Sequence, residues 1–113
     1  MVNIVFMGIK MSYKLFIDDE RFPVTDDWVI VRSSQQAINY VRINGCPGEI
    51  SFDHDLGGED TSMVFLHWLV NFVLEGGTIF PSDFKYSVHS QNPIGKKNIE
   101  GLLDCFIRTI YGE

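Results

Sequence analysis

Short apolar runs in this chain stop abruptly at clusters of polar residues, and they alternate between strand-like and helix-like periods. Tyr13–Ile17 ends at Asp18-Asp19-Glu20. A buried parallel strand, apolar on both faces, reads this way. Phe22 precedes Pro23, which keeps it out of the helical region, so the spacing predicts a loop to about Asp27. Trp28–Val31 is a second strand, rich in aromatic and β-branched residues. Ser33 then opens a helix, with Gln36 completing a capping box. Ala37, Ile38 and Val41 form its apolar stripe, and Gly45 suits the left-handed residue after its end.

Glu49–His54 is the third strand, followed by a loop carrying Gly57-Gly58. Asp60 or Thr61 caps the next helix, which runs to about Glu75 and stops at Gly76-Gly77. His67, Asn71 and Glu75 share one narrow face of it, and the rest is apolar nearly all round. Such a helix is deeply buried or faces another chain. Phe84–His89 is the fourth strand. Asn92 caps the last helix, with Pro93 at its first position and Ile99, Leu102, Leu103, Phe106 and Ile110 as its buried stripe. The order β, β, α, β, α, β, α with right-handed crossovers predicts an α/β fold, a small parallel sheet of about four strands with helices on its faces.

Ligands of such sheets bind at the carboxyl ends of the strands. The polar residues gather there: Asp18-Asp19-Glu20-Arg21 after strand one, Asp53-His54-Asp55 after strand three, and His89-Ser90-Gln91-Asn92 after strand four. Ten of the fifteen acidic residues lie between Asp18 and Asp60. Carboxylates gathered at one site repel one another unless a cation is present. Oxygen donors suit Mg²⁺ or Mn²⁺, which in turn hold phosphate oxygens. Each motif also has a structural reading. Asp18-Asp19 could be a solvated turn, and Ser90 and Asn92 could serve only as caps. Strand alternation turns Asp53 and Asp55 to one side and His54 to the other. His67 reads as structural. Cys46 and Cys105 read as small apolar residues away from the strand ends.

At 113 residues the chain has one domain's length. Its formal charge of −6 disfavours duplex nucleic acid as a partner. Two cysteines make no disulfide framework, which fits a cytoplasmic compartment. The most apolar run, Met63–Leu74, is too short to span a membrane, for which about 20 residues are needed. Residues 1–12 read as an N-terminal extension and 13–113 as the domain itself.

The strings Leu15-Phe16-Ile17-Asp18-Asp19-Glu20-Arg21-Phe22-Pro23, Ile50-Ser51-Phe52-Asp53-His54-Asp55-Leu56-Gly57 and Val88-His89-Ser90-Gln91-Asn92-Pro93, with Trp28–Ser33 between the first two, resemble a divergent group of response-regulator receivers. That group is the cyclic-phosphate processing receiver domains. The resemblance implies a flavodoxin-like, receiver-like three-layer sandwich that lacks the last strand–helix unit of a standard receiver. It also implies a role in processing cyclic phosphates, in nucleic-acid repair or nucleotide signalling. Ordinary receivers use a lysine after a fifth strand, and this chain has no room for that strand.

The expected function is a metal-dependent phosphodiesterase acting on a small cyclic phosphate, derived from a nucleotide or an RNA end. Asp18, Asp19, Asp53 and Asp55 are its candidate ligands for Mg²⁺ or Mn²⁺. Asp53, His54 and His89 are the candidate catalytic groups: the imidazoles as acid and base, and Asp53 as ligand or nucleophile. Arg21, Ser90 and Asn92 are candidates to orient phosphate oxygens. The alternative is a non-catalytic module that sequesters a nucleotide or regulates a protein. The apolar helix 61–75 is then a candidate surface for a dimer or a protein partner.

Overall fold

Alternating apolar residues build the sheet. Lys14–Ile17 is β1, Trp28–Val31 is β2, Glu49–Phe52 is β3 and Lys85–Val88 is β4. The structure is a computed structural model that describes residues 12–112. All but the last residue of the expected N-terminal extension 1–12 lie outside the described residues. The four strands are parallel and lie in the order β2-β1-β3-β4. The register sets Ile17 beside both Val31 and Phe52, and Phe52 beside Val88.

Three helices complete the fold: α1 (Ser34–Asn44), α2 (Ser62–Leu74) and α3 (Pro93–Tyr111). Their caps follow from the sequence. Ser33 accepts a hydrogen bond from the Gln36 N–H, and Asn92 accepts one from the Gly95 N–H. The reciprocal half of the α1 box differs from expectation, because the Gln36 side chain accepts from the Arg32 N–H. Thr61 caps α2, while Asp60 reaches across to the backbone N–H and hydroxyl of Ser34. That clamp ties the β3–α2 loop to the start of α1.

Leu15, Ile17, Ile50 and Phe52 are fully buried in one cluster with Val41 of α1, Phe65, Leu66 and Leu69 of α2, and Ile99 and Leu103 of α3. Each such side chain contributes about 1.5–3 kcal/mol by leaving water. The receiver-like α/β fold with its four-stranded parallel sheet is therefore present, but the three helices among the described residues share one face, so these residues form two layers where a three-layer sandwich was expected. The strand order explains this. The steps from β2 to β3 and from β3 to β4 run the same way across the sheet, so right-handed crossovers put both helices on one side. The step from β1 to β2 runs the other way, and its connection is a loop. On the second face Phe16 lies edge-on to Trp28, 6.0 Å between centroids, and stacks on His89 at 4.7 Å.

The β1–β2 loop is pinned at its far end by Lys14, whose ammonium lies 2.7 Å from Asp27. The bonds from Lys14 and Thr25 hold the Asp27 carboxyl down at about 2. Its unfolded value is about 3.9. The pair thus adds stability above that value and loses it as pH falls towards 2. Asp27→Asn should lower the melting temperature slightly at pH 7, with the difference vanishing in acid and in high salt. A pH series of thermal melts reads this, and an equal difference at pH 2 would contradict it.

Candidate functional site

Backbone bonds carry the sheet register one residue past the strands. The Asp18 N–H donates to Val31 O at 3.2 Å, Asp53 N–H to Ile17 O at 2.9 Å, and His89 N–H to Phe52 O at 2.8 Å. Asp18, Asp53 and His89 thus stand in a row across β1, β3 and β4. Asp18 is fully buried. One of its oxygens accepts from the backbone N–H groups of Glu20 and Arg21, at 2.9 and 2.8 Å. The other accepts from Arg21 Nε at 3.0 Å and from His89 Nε2 at 2.9 Å. Burial alone would raise the Asp18 pKa. The Arg21 and Glu20 N–H groups, His89 and the Arg21 charge outweigh it and hold the carboxyl below its ordinary value.

A carboxylate only accepts, so Nε2 of His89 carries the proton of that bond. Its Nδ1 lies 2.7 Å from the Ser51 hydroxyl, which in turn is 3.3 Å from the Ser87 hydroxyl. Both imidazole nitrogens are thereby engaged. His89 stands behind Asp18 and does not line the cleft. His54 is turned away from it as well. Its ring is buried under the first turn of α3, and its Nδ1 lies 3.0 Å from Asp55. A Cβ built on Gly95 would meet the His54 ring at 2.3 Å.

Alanine in place of a helical glycine normally helps by about 1 kcal/mol. Here Gly95→Ala should destabilise the chain by about 1–3 kcal/mol, the cost of overpacking. Denaturant melts give the sign directly, and a gain in stability would refute the close packing.

The cleft itself holds about 480 Å³ and is lined by Asp19, Glu20, Arg21, Asp53, Asp55, Gly57 and Ser90–Asn92. The structure thus gathers Asp19, Arg21, Asp53, Asp55, Ser90 and Asn92 around one space, with Asp18 buried beside them. Oxygens of Asp18, Asp19 and Asp53 lie within 4.8 Å of one another. Asp55 stands outside that trio. Its carboxylate accepts from the Asn92 amide at 3.1 Å and from His54, and these bonds lower its pKa. Arg21 spans the acids, with Nε on Asp18 and Nη2 3.2 Å from Asp53.

A hard divalent cation fits this donor set. Three carboxylates converge, and Asp19 is exposed and makes no hydrogen bond or ion pair with the described residues. Asp18 already accepts four hydrogen bonds and Arg21 bridges it to Asp53, so a cation would bind Asp19 and Asp53 first and reach Asp18 only by displacing one of its donors. Two residues that brace the site, Ser51 and Arg32, are not marked as site residues by the sequence. Ser51 was hidden inside a strand, although it shares the strand face of Asp53. Arg32 ends β2, and its Nη1 donates to the carbonyls of Asp18 and Arg21 at 2.9 and 2.6 Å. A basic residue beside the acidic strand end was the available signal.

A parallel sheet that ends in an acidic pair after β1 and an aspartate after β3 is the arrangement that the resemblance to receiver domains implies. The sequence model of the cyclic-phosphate processing receiver domain matches residues 13–105, most of the chain. The chain belongs to that family. Comparison with curated proteins and with solved structures gives no significant match. No helix among the described residues is long and apolar enough to cross a membrane.

Proposed function

We propose that the chain is a metal-dependent phosphodiesterase that opens a small cyclic phosphate. The observation that carries this reading is the acid trio Asp18, Asp19 and Asp53 at one cleft with Arg21, Ser90 and Asn92. Mg²⁺ or Mn²⁺ on those carboxylates would neutralise phosphate charge and acidify a water. The side chains supply the rest. Arg21 keeps N–H groups beyond those given to Asp18 and Asp53, and they can hold phosphate oxygens. Ser90 accepts from the Asn92 N–H at 3.1 Å, which leaves its own O–H to donate into the cleft. Asn92 gives one amide hydrogen to Asp55 and retains the other. His89 and Ser51 position Asp18 from behind. In the reaction, water oxygen bonds to phosphorus, one ring P–O bond breaks, and the leaving oxygen takes up a proton.

One observation favours the second reading, a module that binds without turnover. No imidazole lines the cleft among the described residues, so a proton-transfer group working near neutral pH is lacking there. In that case Val64 and Leu74, exposed on α2, become the surface offered to a second copy or a protein partner.

Phosphorus NMR on nucleoside 2′,3′-cyclic phosphates, 3′,5′-cyclic nucleotides and cyclic dinucleotides, with Mg²⁺, Mn²⁺ or chelator, separates the two readings. Metal-dependent loss of one cyclic signal supports the enzyme. Binding by calorimetry with no chemical change supports the module.

A further inference from the structure

A second cleft, of about 560 Å³, opens on the β2 side and is walled by Phe22, Val24, Thr25, Asp26, Trp28 and Ile30. Phe22 is 74% exposed, an unusual position for a large aromatic ring. The ring is nevertheless braced. The Arg32 guanidinium lies 4.6 Å from its centroid, and Arg32 is itself fixed on the carbonyls of Asp18 and Arg21. Trp28 is held too, by Phe16 at its edge and by the Lys14 ammonium 5.0 Å from its ring centroid.

The linings of the two clefts meet at consecutive residues. Arg21 lines the acid cleft and Phe22 the apolar one, and consecutive Cα atoms are about 3.8 Å apart. A second link runs through the sheet. Ile30 pairs in register with Phe16, which stacks on His89, which bonds Asp18. Phosphate-directed and aromatic groups thus meet at one Arg-Phe step. Among the described residues no Lys or Arg lines the apolar cleft, and Asp26 stands on its wall. The two cations behind its rings are already engaged, Arg32 by the carbonyls of Asp18 and Arg21 and Lys14 by Asp27, so the lining itself disfavours a second phosphate.

We propose that this cleft is a nucleobase subsite and that the ligand of the acid site is a nucleoside cyclic monophosphate, its base stacked on Phe22 and its phosphate at Arg21. The phosphate half rests on the reading above, and the base half does not. A planar, uncharged, aromatic group attached to a single phosphate matches both clefts. Base–aromatic stacking tolerates any base, so this subsite selects for the presence of a base rather than its identity.

The test is an NMR titration of the full chain with adenosine, adenosine 2′,3′-cyclic phosphate and the base-free glycerol 1,2-cyclic phosphate, following the Trp28 indole resonance. Both adenosine compounds should shift Trp28, and the glycerol compound should not. Phe22→Ala should weaken the adenosine compounds about tenfold and leave the glycerol compound unchanged. Phe22→Trp should restore binding. Equal weakening of both cyclic phosphates, or no response of Trp28 to either adenosine compound, would overturn the subsite. Adenosine shifting Trp28 while neither cyclic phosphate binds would support the base cleft and overturn the cyclic-phosphate reading instead.

Discussion

Asp18→Ala should lower the melting temperature by about 15–25 °C. The carboxylate is fully buried and takes four hydrogen bonds, from two backbone N–H groups, Arg21 and His89. Removing one partner of a buried charge network costs about 3–5 kcal/mol, because four donors lose their shared acceptor at a fully buried position. For a domain of this size, each kcal/mol moves the midpoint by several degrees. Calorimetry of the metal-free chain isolates this effect from any ligand. A shift of only a few degrees would show that the row of Asp18, Arg21 and His89 is solvated rather than buried.

Asp53→Asn should leave the melting temperature nearly unchanged and, on the proposed reading, remove turnover. Its carboxylate contacts the half-exposed Arg21, so the fold depends on it far less than on Asp18. The substitution keeps the shape and deletes one of three converging charges. Mg²⁺ affinity should fall at least about tenfold, and turnover of the cyclic phosphate at least about a hundredfold. Calorimetric Mg²⁺ titration and phosphorus NMR read the two losses separately. Unchanged affinity with lost turnover would assign Asp53 to the reacting phosphate instead of the metal.

The positions of the strands, the caps Ser33 and Asn92, and the three polar strand ends were legible because each rests on local periodicity or on one residue's chemistry. The direction of His54 was legible for the same reason. Strand alternation puts it with Phe52, on the helix side, and there it meets Gly95. The placement of His89 was not, although the same parity rule applies to it. It shares its face with Ser87, and Ser51 lies across from them on β3, but a hydroxyl inside a strand announces no partner. The side on which the helices lie depends on strand order. Local pattern does not carry strand order, which is why helices were expected on both faces. Arg32 is a related case, because its bonds to Asp18 and Arg21 exist only once β2 lies beside β1.

The segment from Asp18 to Asp27 does two jobs that most parallel sheets divide between a helix and a loop. It returns the chain across the sheet to start β2, and it carries Asp18, Asp19, Arg21 and Phe22. Among the described residues β2 is an edge strand with one paired neighbour, held by that pairing, by Val31 in the core and by this segment. Occupancy of the clefts would thereby be coupled to the breathing of that edge. A ligand that quiets the segment should slow amide hydrogen exchange along β2 while exchange along the opposite edge, β4, stays as it was. The domain would then report its ligand as a change in how often one strand leaves the sheet, a signal available to any partner that recognises a free strand edge.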